Sequence, residues 1–195
     1  MMTNMEYEKK RLLTKTEFDK MKSQLCNITA SDSFIQSNYY YDTSNFDYFE
    51  RNETVRVRLK NGTLNFEYKS QKKVFNNTKA SKEVIRSTKF LPKIISIDEK
   101  ILELIGCMTT LRTNFVLGEC LVSLDENHYL GIVDYEIEVE LKDINSALHS
   151  VLQIFDDIPS TGKYSRFVME LKSIDAYRLA VFNPVDEEFI LKELL

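Results

Sequence analysis

The chain has 195 residues, 43% of them hydrophobic and 29% charged, so it is long enough and apolar enough to bury a core. Lys and Arg total 26 against 30 Asp and Glu, and a net charge of −4 gives no general attraction for nucleic acid or an anionic membrane. No apolar run is long enough to span a bilayer, and no composition shift marks a linker. We therefore expect a single domain over residues 1–195, without sequence-specific nucleic-acid or membrane partners.

The cysteines and histidines exclude some common kinds of site. Cys26, Cys107 and Cys120 are widely spaced, and no pair has the spacing of a metal clip. Buried, reduced thiols in a cytoplasmic protein are expected. The two histidines, His128 and His149, are too few for a histidine metal site and are expected at the surface. No glycine-rich loop for a nucleotide is present.

The first half of the chain predicts several strands and one long helix. After a strand that starts at Glu6, Thr14 and Glu17 have the spacing of a capping box. The helix that follows carries Phe18, Met21 and Leu25 on one side, which should cover a sheet. The further predictions are a strand at Phe34–Tyr41, a helical turn at Phe46–Arg51, a hairpin of Glu53–Lys60 and Thr63–Ser70 around Asn61-Gly62, a loop at Lys72–Thr78 and a strand at Ala80–Ser87.

The second half predicts strands between helices. Apolar residues between Ser96 and Ile105 recur at helical spacing and predict a helix there. Asn145 should cap another helix, which ends at Pro159. The other predictions are strands at Thr109–Leu117, Glu119–Asp125 and Ile132–Leu141, a terminal helical region after the basic segment Lys163–Arg166, and an amphipathic end at Phe189–Leu195.

One predicted strand has an unusual charge pattern. Between residues 134 and 141, acids occupy every second position and apolar residues lie between them. The acids are Asp134, Glu136, Glu138 and Glu140. Because alternate side chains of a strand point to opposite faces, one face is anionic and the other apolar. Like charges on one face repel, so this face needs either open water or a cationic partner.

The hairpin offers such a partner. Arg56 and Arg58 alternate with apolar residues on its first strand, and Lys69 lies on the charged face of its second strand. Many strands joined by turns predict a mainly antiparallel α+β protein with a closed or nearly closed sheet. Because the predicted helices carry apolar stripes, they can cover the apolar strand faces from outside. The charged faces would then line a polar interior.

Such an interior would suit a metal-bound polyanion. Oxygen ligands without Cys or His favour Mg²⁺ or Mn²⁺, as one or two ions. Guanidinium and ammonium groups on the opposite wall would hold phosphates, so a linear triphosphate is the expected ligand. The candidate carboxylates are Glu6, Glu8, Glu136, Glu138 and Glu140, and the candidate cations are Lys10, Arg56, Arg58, Lys69 and Arg112.

Each pattern also has a plainer interpretation. Glu-x-Glu-x-Lys is common on solvent-facing strands, and basic alternation often protects a sheet edge. A β-sandwich with its charges in solvent predicts that Glu138→Ala barely changes stability or metal affinity. A charged interior predicts lost metal binding and, because like-charge repulsion is relieved, a more stable metal-free protein.

In this order, the residues resemble the CYTH family, also called the triphosphate tunnel metalloenzymes. Glu6-x-Glu8-x-Lys10 is similar to the ExExK signature of that family. The resemblance spans residues 5–170. It continues through Tyr40–Thr43, Val55–Arg58, Leu64–Lys69, Glu83, Arg112, Leu124–Asp125, the acidic strand and Lys163–Arg166.

The resemblance implies an eight-stranded closed β-barrel, or tunnel, with a polar interior and helices packed outside. It implies metal ligands among Glu6, Glu8, Glu83, Asp125, Glu136, Glu138 and Glu140. It implies phosphate binding by Lys10, Arg56, Arg58, Lys69, Arg112, Lys163 and Arg166. The residues expected to act in catalysis are Glu6, Glu8, Lys10 and Glu138.

The family resemblance implies several activities, of which metal-dependent hydrolysis of a triphosphate is favoured. Residues 3–5 lack the aromatic-histidine lead of class IV adenylyl cyclases, and without Trp no indole platform exists for a thiamine ring. Cyclase activity, thiamine triphosphatase activity and a non-catalytic module that binds a triphosphate, polyphosphate or nucleotide stay open as alternatives. A homodimer also stays open.

Overall fold

The computed structural model describes residues 2–75, 78–97, 99–118, 120–141 and 161–174, and within them the side chains of 2–6, 71–80 and 141 are not described. The strands are β1 (Met2–Leu13), β2 (Ser31–Asp42), β3 (Glu53–Lys60), β4 (Thr63–Phe75), β5 (Thr78–Thr88), β6 (Ile94–Ile97), β7 (Lys100–Leu117), β8 (Cys120–Tyr129) and β9 (Ile132–Leu141). The helices are α1 (Lys15–Cys26), α2 (Asp47–Glu50) and α3 (Lys163–Ser173).

The strands pair in the order β2-β3-β4-β5-β1-β9-β8-β7-β6, and all of these pairings are antiparallel. Strand β2 also pairs with β7 along twelve residues, so eight of the strands have neighbours on both sides and surround a common interior. The short strand β6 extends the sheet beyond β7. The predicted mainly antiparallel fold is confirmed, with nine strands rather than eight among the described residues.

Two local signals in the sequence produce the expected structures. Asn61 and Gly62 have φ values of 49° and 73°, as a two-residue type I′ turn requires, and join β3 to β4. At the start of α1, the Thr14 hydroxyl accepts a hydrogen bond from the Glu17 amide at 3.2 Å. The Glu17 carboxylate accepts one from the Thr14 amide at 2.8 Å, which completes the capping box.

Apolar side chains cover the outside of the sheet. Phe18 of α1 packs with outward-facing residues of β7, β8 and β9, including Phe115, Leu124 and Ile137. Val57 of β3 belongs to a second outer cluster, which α2 and β6 cover. In β9 the residues beside Ile137 are acids that turn to the interior. The sheet therefore has a hydrophobic outside and a polar inside, as expected.

Helix α3 closes one end of the polar interior. Its Tyr164 and Phe167 rings lie 5.0 Å and 5.2 Å from the ring of Tyr40. Tyr40, Met108 and the two helix residues form one buried cluster. A buried carboxylate holds the helix in place, because Asp42 accepts hydrogen bonds from the Tyr164 hydroxyl and from amides of α2.

Two predicted elements are wrong. Ser96–Ile105 is a hairpin rather than a helix, with Glu99 at φ 63° between β6 and β7. Ile97, Leu102 and Leu104 pack in the outer cluster around Tyr48. Ile101 is exposed and Ile105 belongs to the cluster under α3, a division that the apolar spacing alone cannot reveal. The predicted loop at Lys72–Thr78 is largely strand, since β4 continues to Phe75 and β5 begins at Thr78.

Other predictions fall outside the described residues or need correction. The helix after Asn145 and the amphipathic end at Phe189–Leu195 lie outside them, as does His149. All three cysteines are free, but only Cys120 is buried and Cys26 is exposed, so the expectation of buried thiols was wrong for Cys26. His128 is exposed, as expected. Among the described helices, none has the length and hydrophobicity needed to cross a bilayer.

Candidate functional site

The inward strand faces surround a charged cavity. Its volume is about 130 Å³. Given the minimum volume that one water needs, this is room for roughly ten water molecules. The charged residues that line it come from six strands and from α3: Glu8, Lys10, Glu53, Arg56, Arg58, Lys69, Glu83, Arg112, Glu138, Glu140 and Lys163. Acids and bases from distant parts of the chain thus meet in one interior.

Three carboxylates form an acidic cluster deep in this interior. Asp125 of β8 faces Glu136 of β9 in the strand register, and Glu138 follows two residues later on the same face. One oxygen from each lies within 4.8 Å of the others. Asp125 and Glu136 have no exposed surface. Such a concentration of buried negative charge requires cations nearby.

Arg112 and Lys10 supply two of those cations. The Arg112 guanidinium donates to both oxygens of Asp125, at 2.7 and 2.6 Å, and also contacts Glu138. The Lys10 ammonium lies 3.1 Å from Glu138 and 3.0 Å from Glu8. Although burial opposes ionisation, these cations hold the pKa of Glu138 well below its ordinary value.

Two residues of α3 complete the cover of the acidic cluster. The Lys163 ammonium lies 2.7 Å from Asp125 and 2.9 Å from Glu138, and it also contacts Glu136. The Arg166 guanidinium lies 2.8 Å from Glu136 and donates to Asp134 at 2.7 Å. The expectation of a cationic partner for the acidic strand is therefore met by β1, β7 and α3.

Arginines dominate the opposite part of the wall. Arg56 donates to Glu67 on the neighbouring strand at 2.8 Å, and Arg58 lies 3.5 Å from the same carboxylate. The Arg58 Nε also donates to the Asn38 side-chain oxygen at 3.0 Å. One carboxylate thus serves two guanidiniums. Burial and repulsion from Arg56 lower the pKa of Arg58 to about 10.

Lys69 of β4 contacts carboxylates on β1 and β5. Its ammonium lies 3.3 Å from Glu8 and 3.5 Å from Glu83. Burial opposes ionisation of Glu8, but attraction by Lys10 and Lys69 lowers its pKa to about 2. Glu140 differs, because burial raises its pKa and the carboxylates of Glu138 and Glu8 add to that effect against attraction by Arg112.

The structure brings most of the predicted site residues together but corrects their arrangement. Acidic and basic residues were expected on opposite walls, whereas Lys10 and Arg112 lie directly against Glu138. Register explains this, since antiparallel pairing sets Lys10 beside Glu138 in β9. Arg166 bonds Asp134 and Glu136 and is not part of the cavity lining. The side chain of Glu6 lies outside the described part of the chain.

Two residues that contact Arg58 were missing from the predicted site. Glu67 is the shared partner of the two arginines, and its alternation with Lys69 on β4 was the signal that could have identified it. Asn38 is fully buried and lines the cavity beside Arg58. No sequence signal distinguishes this asparagine, because only the pairing of β2 with β3 sets it opposite Arg58.

The acidic cluster fits a hard divalent cation. The oxygens around an octahedral Mg²⁺ lie about 3 to 4 Å apart, which agrees with the 4.8 Å limit on the cluster. All three ligand atoms are carboxylate oxygens, the donors that Mg²⁺ and Mn²⁺ prefer. The residues present are thus compatible with such an ion.

Comparisons with known proteins agree with this architecture. A model of the CYTH domain matches residues 4–166. The Bacillus subtilis protein named "putative triphosphatase YjbK" is 30% identical over 187 residues, which cover 87% of this chain and 97% of that protein.

Two solved structures have the same fold. A Bacillus halodurans protein described as a "putative adenylate cyclase" is 26% identical with a TM-score of 0.72, over 86% of this chain and 99% of the other. HpAC1 from Hippeastrum, described as having a dominant triphosphatase activity, is 18% identical with a TM-score of 0.66, over 85% and 96% of the two chains. At 18% identity, this second likeness concerns the fold alone. From the match over residues 4–166 and the relationship to YjbK, the chain belongs to the CYTH domain family.

Proposed function

We propose that this protein hydrolyses a triphosphate in its charged interior with Mg²⁺ or Mn²⁺, the substrate being inorganic tripolyphosphate or a nucleoside or other organic triphosphate. The observation that carries the proposal is one cavity that joins an acidic cluster to a pair of arginines. Glu138 of the cluster and Arg56 and Arg58 all line it. A triphosphate with a bound metal ion carries both complementary charges, because the metal ion matches the acidic cluster and the phosphates match the arginines.

The basic residues bind the phosphate chain. Arg56 and Arg58 offer planar forks that match phosphate oxygens, and Lys10 and Lys69, which line the same cavity, add compact charges. Arg58 gains most from an anion, because its charged form is already disfavoured by burial and by Arg56. Its bonds to Asn38 and Glu67 hold the guanidinium in place for that contact.

The acidic residues would hold the cation. Asp125, Glu136 and Glu138 would bind it through carboxylate oxygens, and Glu8 and Glu140 line the adjoining cavity. A bound divalent ion would supply charge neutralisation for the phosphates and would lower the pKa of a water molecule bound to it. Glu8 stays ionised at neutral pH, since its pKa is near 2. Glu83, which lines the cavity, and Glu6 are further proposed ligands.

Hydrolysis consumes one water and breaks one phosphoanhydride bond. Water oxygen adds to the terminal phosphorus, the bridging oxygen leaves, and tripolyphosphate yields phosphate and diphosphate. Lys10, between Glu8 and Glu138, is placed to stabilise negative charge that develops on the phosphate oxygens. Helix α3 closes one end of the interior and limits the entry of bulk water.

Product analysis tests the proposal. The purified protein is incubated with tripolyphosphate or with ATP, each with Mg²⁺ or Mn²⁺, and phosphate, diphosphate and cyclic AMP are measured separately. We expect release of phosphate from at least one substrate, and loss of that release in Glu138→Gln. Glu103→Gln is the matched control, because Glu103 of β7 is exposed and does not line the cavity.

The alternatives give different products. Cyclic AMP with diphosphate would assign cyclase activity instead. Tight binding of tripolyphosphate with complete recovery of unchanged ligand would indicate a non-catalytic binding module. Either result would contradict the proposed hydrolysis.

A further inference from the structure

One lysine occupies the space that a metal ion would need. The Lys163 ammonium is within 2.9 Å of Asp125 and Glu138 and contacts Glu136, the same three residues that form the acidic cluster. Only 9% of the Lys163 side chain is exposed. These contacts place the Lys163 side-chain nitrogen between the carboxylates from which an ion would take its ligands. Burial lowers the pKa of Lys163, and so do Arg112 and Lys10, while Asp125 favours its charged form.

An ammonium group and a divalent ion cannot use these oxygens together. Mg²⁺ requires oxygens at about 2.1 Å in near-octahedral geometry, while the ammonium stands among the same oxygens at 2.7 and 2.9 Å. At such separations the two cations would also repel each other strongly. Lys163 must therefore leave the acidic cluster when an ion binds there.

The structure gives Lys163 a place to go without movement of α3. Lys163 is the first residue of α3 and lines the cavity together with Arg56 and Arg58. The helix itself is anchored by the Tyr164 hydroxyl on Asp42. Because a lysine side chain has four rotatable carbon–carbon bonds, its ammonium can turn toward a phosphate in the cavity while the backbone stays in place.

We propose that Lys163 is an exchangeable counter-ion of the acidic cluster, an inference that rests on the proposed function. Together with Lys10, Arg112 and Arg166, it balances the charge of Asp125, Glu136 and Glu138 before the ligands bind. When a divalent cation and a triphosphate enter together, the ion replaces the ammonium, and Lys163 then bonds the triphosphate. Metal ion and triphosphate therefore bind cooperatively, and the metal alone binds weakly.

The proposal predicts opposite effects on two ligands when Lys163 is removed. In Lys163→Met, Mn²⁺ alone should bind roughly tenfold more tightly, because it no longer competes with the ammonium. Tripolyphosphate in the presence of Mn²⁺ should bind roughly tenfold more weakly, because a phosphate contact is lost. A purely structural role for Lys163 would weaken both.

The experiment compares Lys163→Met with the wild type by titration calorimetry, first with MnCl₂ alone and then, at saturating Mn²⁺, with imidotriphosphate in place of tripolyphosphate. Imidotriphosphate has nitrogen in place of the bridging oxygens and therefore resists hydrolysis during the titration. Lys172→Met is the matched control, since Lys172 is an exposed lysine of the same helix that pairs with Glu50 at the surface. Lys163→Gln, which keeps a hydrogen-bond donor, is measured as well in case the methionine variant does not fold. Near-UV circular dichroism establishes that each variant is native.

Each outcome decides between the claims. Tighter Mn²⁺ binding with weaker tripolyphosphate binding in a folded Lys163 variant supports the exchange. If folded Lys163 variants bind Mn²⁺ no more tightly than the wild type, or bind tripolyphosphate unchanged, the exchange is overturned while the proposed function stands. A wild-type protein that binds neither ligand would overturn the proposed function and the exchange with it.

Discussion

The cavity wall has two charged parts, a cationic part around β3 and an acidic part around β9, and they differ in the sign of their excess charge. Around β3, Arg56 and Arg58 share one carboxylate, and the pKa of Arg58 falls to about 10 through burial and the neighbouring arginine. Around β9, burial and adjacent acids raise the pKa of Glu140. The charged form of Arg58 is thus disfavoured in one part, and the charged form of Glu140 in the other.

This difference shows where ligands of each sign gain most. An anion near Arg58 and a cation near Glu140 would each relieve an existing electrostatic cost. The overall net charge of −4 gives no such information. Variants that remove charge from one part should therefore weaken the binding of one ligand and leave the binding of the other unchanged.

The largest effect is expected at Glu138, where the acidic part meets three cations. Its removal in Glu138→Ala takes one buried partner from each of Lys10, Arg112 and Lys163, which keep only their contacts with other carboxylates such as Glu8 and Asp125. We expect a loss of about 3 to 5 kcal/mol in the free energy of unfolding, as for other broken buried ion pairs. Denaturant unfolding measures it, together with loss of Mn²⁺ binding. This reverses the expectation from sequence that the metal-free protein becomes more stable, and an unchanged stability would contradict the ion network.

The next largest effect is a loss of stability at low pH, when Glu8 becomes protonated. Glu8 has a pKa of about 2 in the folded protein against an ordinary value of 4.5. Because the folded-state pKa is depressed, its stabilisation is present above pH 4.5 and is lost as the pH falls toward 2, on the order of 3 kcal/mol. Denaturant unfolding at several pH values measures this loss. Glu8→Gln should be less stable at neutral pH and less sensitive to acid, and an equal acid sensitivity would rule Glu8 out as its source.

The cationic part is tested with Arg58→Ala. We expect tripolyphosphate, at saturating Mn²⁺, to bind roughly tenfold more weakly, as for a lost charged hydrogen bond. Binding of Mn²⁺ alone should stay unchanged, because Arg58 belongs to the other part of the wall. Calorimetry measures both, with imidotriphosphate in place of tripolyphosphate to avoid hydrolysis and with Arg86→Ala as the exposed control on β5. A matching loss of Mn²⁺ affinity would show that the two parts do not act separately.

The smallest effect is expected outside the cavity. Thr14→Ala removes one half of the capping box of α1 and should cost about 1 kcal/mol of stability. It should leave both ligand affinities unchanged, since α1 packs only on the outer side of the sheet. Thermal unfolding and the same titrations check this. Weaker ligand binding would mean that the outer cover and the interior are coupled.

The sequence could predict the features that depend on neighbours in the chain. Alternation in residues 134–141 predicted β9 with its correct limits, and Asn61-Gly62 predicted the β3–β4 turn. The hairpin at Ser96–Ile105 was missed because its apolar spacing fits a helix as well as a strand. Only the structure shows that this segment packs against Tyr48 and its neighbours. Local pattern alone cannot choose between two periods that share the same apolar positions.

The sequence by itself determined which side chains turn inward, because a strand alternates its faces whatever it packs against. Only the tertiary structure decided which charges touch. Pairing of β1 with β9 set Lys10 against Glu138, and the packing of α3 on Tyr40 brought Lys163 to Asp125 across the interior. Contacts between residues so far apart in the chain depend on strand register and helix docking, which no single segment encodes.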